Sequence, residues 1–98
     1  MKPQKEKILS TLKEITPLLS KKYGVTKIGI FGSLARGEAR EDSDVDIVYE
    51  MSNPNLFTVV HLKEELEQIL HFPVDLIRYR QRMNLYLKKR IEKEGVYV

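Results

Sequence analysis

The sequence predicts a small α/β fold over residues 1–98, a single domain with a mixed sheet of about three strands flanked by helices. Three observations predict it. Apolar residues recur at helical spacing in several stretches, short β-branched runs lie between those stretches, and no change of composition marks a second domain.

The elements follow in order. Ile8, Leu9, Leu12, Ile15 and Leu19 form one apolar stripe, which predicts a surface helix from about Gln4 to Tyr23. Pro17 falls inside it and removes a backbone donor, so a kink or a fresh start of helix is expected near Thr16. Gly24 suits the left-handed cap that ends the helix. Val25 to Phe31 reads as a buried strand running into a turn at Gly32-Ser33, where Ser33 is expected to cap a short helix through Leu34 and Ala35. After a polar stretch, Asp44 to Tyr49 alternates carboxylate with aliphatic and reads as a second strand. Asn53-Pro54-Asn55 then introduces a helix through Val59, Leu62, Leu66, Ile69 and Leu70 that ends near His71. Val74 to Ile77 is a third strand; Met83, Leu87 and Ile91 mark a last helix before Gly95, followed by a short apolar tail, Val96-Tyr97-Val98.

Composition narrows the function. The absence of cysteine excludes disulfide staples and cysteine zinc sites and is expected of a chain folding in a reducing cytoplasm. The charged amino terminus has no apolar stretch behind it suited to a signal peptide or a membrane span, so the protein is expected in the cytoplasm with no membrane association. A net charge of +3 is mild evidence for an anionic ligand. Direct nucleic-acid binding is not expected, because no aromatic platform is interleaved with the basic residues.

The chemistry is concentrated in two motifs. On a strand, Asp44 and Asp46 project to one face while Val45 and Ile47 face the core. Their Cα atoms would lie roughly 6.5 to 7 Å apart, close enough for both carboxylates to lean onto one hard cation or to bridge two. Alone, the pair also fits polar residues on the outer face of an amphipathic strand. The companion motif is Gly32-Ser33, set between an apolar strand and a helix start. Gly32 lets the backbone turn sharply beneath an anion, and Ser33 offers a hydroxyl and an N–H to a phosphate oxygen. Arg36, one turn on, can add a charge-assisted bond to a phosphate or clamp the neighbouring carboxylates, or simply be a solvated arginine. Asp75 is the single carboxylate of the third strand and completes a three-carboxylate metal site if that strand lies beside the second.

The run Gly32-Ser33-Leu34-Ala35-Arg36-Gly37, then Ser43-Asp44-Val45-Asp46, then Val74-Asp75 resembles the DNA polymerase β-like nucleotidyltransferase superfamily, and within it the minimal nucleotidyltransferase (MNT) group. The resemblance implies the small nucleotidyltransferase fold and transfer of a nucleoside monophosphate, AMP from ATP, to a hydroxyl. It implies two Mg2+ ions held by Asp44, Asp46 and Asp75, with Asp75 also placed to take the proton of the attacking hydroxyl, and Gly32, Ser33 and Arg36 on the nucleotide. Larger relatives carry an added acceptor-binding domain, whereas this chain stops one short helix after the third carboxylate. The acceptor is therefore expected on another protein, and the resemblance implies a HEPN-domain toxin adenylylated by its MNT antitoxin.

A second reading is a binding module that neutralises its partner by occlusion, with the metal site vestigial; the joint presence of Ser33, Asp44, Asp46 and Asp75 favours catalysis over it. Nucleotidyl transfer to RNA or a small molecule ranks lower. The basic run Arg78, Arg80, Arg82, Lys88, Lys89 and Arg90 offers itself to ATP phosphates or to an acidic partner face, or forms a solvated helix face.

Overall fold

A computed structural model describes all residues from Met1 to Val98. The chain runs α1 (Lys5–Tyr23), β1 (Val25–Ile30), α2 (Gly32–Ala35), β2 (Val45–Met51), α3 (Leu56–Leu70), β3 (Val74–Arg78), α4 (Leu85–Glu94) and β4 (Val96–Tyr97). The strands form one mixed sheet in the order β3-β2-β1-β4. β1 is antiparallel to β2 and β4, and β2 is parallel to β3.

Alternation along the strands divides the side chains between two faces. Val45, Ile47, Tyr49 and Met51 of β2, with Ile28 and Ile30 of β1 and Val74 of β3, face Ile8, Leu12 and Leu19 of α1 and Leu62, Leu66 and Leu70 of α3 in the main core. On the opposite face Val48 packs with Phe31 and with Ile91 of α4, bordered by Ile77, Leu87 and Tyr97. Asp46 belongs by period to this second face, the thinner of the two. α1 and α3 are also tied at their surface, where Lys22 Nζ and the Tyr23 hydroxyl both donate to Glu65 Oε1.

The caps follow local chemistry. Gly24 takes the left-handed cap of α1 at φ 75°, its N–H on Ser20 O. Asn55 and Asn84 cap α3 and α4 by accepting from the N–H groups of Thr58 and Leu87, both at 3.0 Å. Of the two outcomes expected at Pro17, a fresh start of helix is excluded, and two further expectations are corrected. α1 neither breaks nor restarts at Pro17: the helix is continuous, and both Pro17 and Lys13, whose carbonyl loses its partner, lie on the solvent side, where water can satisfy that carbonyl. Ser33 does not cap α2; Phe31 holds the N-cap position in extended conformation and Gly32 already belongs to the helix. β2 begins at Val45, which leaves Asp44 just ahead of the strand.

The sheet has four strands rather than three. β4 is the apolar tail, too short to show a period of its own, and it lies on the outer edge of β1 with Tyr97 opposite Gly29 and Val96 opposite Ile30. Gly29 permits this approach, since a Cβ there would overlap the Val96 carbonyl oxygen and press on the Tyr97 backbone. Gly29→Ala is therefore expected to lift β4 from the edge and to cost about 1–3 kcal/mol in denaturant unfolding. Hydrogen exchange at the Val98 amide, which donates to Ile28 O, should accelerate in the same variant.

Candidate active site

The site is assembled at the end of β1 and the start of β2 and β3. β1 leaves the sheet at Phe31, whose N–H donates to Asp46 O, and the chain turns at once through Gly32 at φ 72°. L-residues with a side chain rarely adopt that conformation, and a Cβ at Gly32 would also overlap the Asp46 carboxylate. Glycine is required twice over, by the backbone and by the acidic side chain resting on it.

β3 is seated from both sides. The Val45 N–H donates to Pro73 O at 2.8 Å, and the Val74 N–H donates to Glu67 Oε2 of α3 at 2.8 Å. The parallel register that follows sets Asp46 directly beside Asp75. Neighbouring strands are about 4.8 Å apart, and in-register parallel neighbours project to the same face. The pair sits next to the Gly32 turn. Asp44 precedes the strand on the same period and is exposed, as is Asp75, whereas Asp46 is half-buried.

Burial and crowding raise the Asp46 carboxyl to about 6. Desolvation contributes most, the charge of Asp75 next, and Asp44 adds to it, while Arg90 and Arg36 oppose the shift. No three carboxylate or imidazole side chains of the chain converge into a ready-made metal cage. The donor set nonetheless fits magnesium, which commonly takes one or two carboxylates and completes its shell with water and substrate phosphate oxygens. Here two carboxylates stand side by side with a third nearby, and a divalent cation would offset both the desolvation and the like charges that raise the Asp46 carboxyl.

Arg36 is not a free solvated side chain. Its Nε donates to Glu38 Oε1 at 2.7 Å and its Nη1 reaches both oxygens of Glu94 at 3.0 Å. The Gly32 N–H donates to the same Glu94 carboxylate at 3.2 Å, and Arg90 Nη2 lies 3.7 Å from it. Sequence reasoning did not single out Glu94. Its only local signal is the four-residue spacing from Arg90, which any charged helix can show. Of the basic run, Arg90 alone is turned to the Asp46 and Glu94 charges, and Lys88 instead donates to Gln81 O. The cavities of the chain lie elsewhere: one of about 130 Å3 opens between the start of α1 and the end of α3, and none is lined by Ser33, Asp44, Asp46 or Asp75. The carboxylates stand on an open ledge.

Residues 13–98 match the family described as polymerase beta, nucleotidyltransferase. The chain belongs to this nucleotidyltransferase family. Protein adenylyltransferase MntA of Thermococcus cleftensis is 40% identical over 90% of this chain and 96% of its own. A solved structure described as that of a minimal nucleotidyltransferase superposes with a TM-score of 0.79 at 30% identity, covering 95% of this chain and 94% of the other. The fold is shared as well with a chain from a complex of a tri-AMPylated Shewanella oneidensis HEPN toxin with MNT antitoxin, at a TM-score of 0.59 and 21% identity, over 95% of this chain and 66% of that one. The nucleotidyltransferase fold expected from the motifs is thus the observed one, and no helix is long and apolar enough to cross a membrane.

The raised carboxyl gives this nucleotidyltransferase a defined pH response. In the unfolded chain Asp46 ionises near its ordinary 3.8, but in the folded chain only near 6, so the unfolded state binds fewer protons between those values. Without added metal, stability should fall as pH rises from about 4 to 6, by on the order of 1 kcal/mol after allowance for solvent screening of a half-buried group. Asp46→Asn should remove that part of the dependence, as read from denaturant midpoints at pH 4.5 and 7.5.

Proposed function

We propose that the protein transfers AMP from ATP to a hydroxyl group of a partner protein in the cytoplasm, that the partner is a HEPN-domain toxin, and that the transfer makes this chain its antitoxin. The observation that carries the reading is the in-register pair Asp46 and Asp75 beside the Gly32 turn. A metal-binding carboxylate ledge and a phosphate-accepting turn then meet on an open surface, where a protein acceptor can approach. The name of the Thermococcus cleftensis relative supports protein adenylylation, and the Shewanella oneidensis complex supports the partner class.

In this reading Gly32 and Ser33 take phosphate oxygens of the triphosphate, with Arg36 adjacent. Asp44, Asp46 and Asp75 would hold two magnesium ions. When bound, these ions offset charge on the triphosphate and on both oxygens of the in-line displacement. The acceptor oxygen bonds to the α-phosphorus, the bond between that phosphorus and the bridging oxygen breaks, and pyrophosphate leaves with the electron pair. The acceptor proton passes to the Asp75 carboxylate, whose exposed position leaves it open to the incoming hydroxyl.

The alternative is a module that neutralises its partner by occlusion alone. Incubation with magnesium, labelled ATP and the HEPN partner separates the two. Label should appear on the partner, and Asp44→Ala and Asp46→Ala should each lower transfer by more than about a hundredfold. No transfer by the wild type, with full neutralisation by both variants, would sink the enzymatic reading.

A further inference from the structure

The contacts of Glu94 do more than join α4 to α2. β4 pairs with β1 so that Val96 stands opposite Ile30 and Tyr97 opposite Gly29. Glu94 is the last residue of α4, two positions before β4, and there it lies at the Gly32 turn, whose N–H donates to its side chain. Gly95 makes the junction, since a Cβ there would press on Ile91 O as the chain passes from helix to strand. The Glu94 side chain is only 17% exposed, and it gathers the Gly32 amide, the Arg36 guanidinium and, at longer range, Arg90.

Those donors are the ones that a phosphate oxygen at the glycine turn would need. Given the nucleotide site proposed above, on which this inference rests, the geometry points to Glu94 as an affinity-determining residue: its carboxylate occupies the phosphate-accepting donors as an internal anion, and a polyphosphate must displace it to bind. A carboxylate brings a single negative charge to this cluster of donors. A triphosphate carries several charges and more acceptor oxygens, so it can take the amide and the guanidinium while Glu94 swings towards solvent. Weakly charged anions lack that advantage, and the contact therefore selects for polyphosphates. Glu38 provides the internal comparison, because it also binds Arg36 but makes no bond to Gly32 and is far more exposed.

Calorimetric titration of the full chain with ATP and magnesium, and separately with inorganic tripolyphosphate, tests this in wild type, Glu94→Gln and Glu38→Gln. Removing the competing charge should tighten both ligands about tenfold in Glu94→Gln, the scale of one charge-assisted hydrogen bond. Glu38→Gln, with the same change of charge, should stay within about twofold of wild type on the exposed-pair scale. Unchanged or weaker binding by Glu94→Gln, or an equal gain in Glu38→Gln, overturns the proposal. Should Glu94→Gln fail to fold by circular dichroism, the wild type decides alone: tripolyphosphate must shift the Gly32 amide and Arg36 Nε resonances, and a fixed Gly32 amide in a protein that binds the ligand overturns it. Absence of ATP binding in both wild type and folded Glu94→Gln defeats the nucleotide reading itself, whereas ATP binding indifferent to Glu94 defeats only the role given to Glu94.

Discussion

The double pairing of β2 is the constraint on which the rest of the site depends. Its antiparallel edge with β1 brings the end of β1, and with it the Gly32 turn, against the start of β2. Its parallel edge with β3 places Asp75 beside Asp46. A one-residue slip on the parallel side would send Asp75 to the core face and Val74 to the open one, so the burial of Val74 and Leu76 against α3 holds the acidic pair in place. Hydrophobic packing on one face of the sheet thus enforces electrostatic repulsion on the other.

That repulsion is contained by what surrounds it. Arg36 and Arg90 lower the Asp46 carboxyl while burial, Asp75 and Asp44 raise it, and the net effect leaves the group near 6. The same two arginines face Glu94, which makes the site a balanced set of opposite charges rather than a bare acidic cluster. Such a set is partly exposed and readily rearranged by an incoming ion or anion. Gly32 links the two halves, with the Asp46 carboxylate against its Cα and Glu94 on its N–H.

The α4 face of the sheet is lightly covered. One helix of ten residues covers it, against two longer helices on the other face. The carboxylates consequently stand at an open edge, which suits a bulky acceptor better than a small molecule needing enclosure. Leu85 and Tyr86 are exposed at the start of α4 on this side, so its apolar surface is not exhausted by the core.

Much of this was legible from residue order alone. The stripes of α1, α3 and α4, the alternation of β2, and the Gly32 and Gly24 turns rest on neighbours one to four residues apart, whose geometry hardly changes from fold to fold. The Asp44 and Asp46 period and the glycine turn that frames it belong to that class. Tertiary structure decided the partners. Asp75 reached Asp46 through a parallel register 29 positions away, β4 found β1 with too few residues to show a period, and Glu94 met Gly32 where the end of α4 packs beside α2. Pro17 stayed within a continuous helix because the Lys13 carbonyl it orphans lies on the solvent side, a fact of orientation and not of composition. Local periodicity is written in adjacent residues, whereas register between distant strands is set by which faces must be buried together, and only the packed sheet settles that.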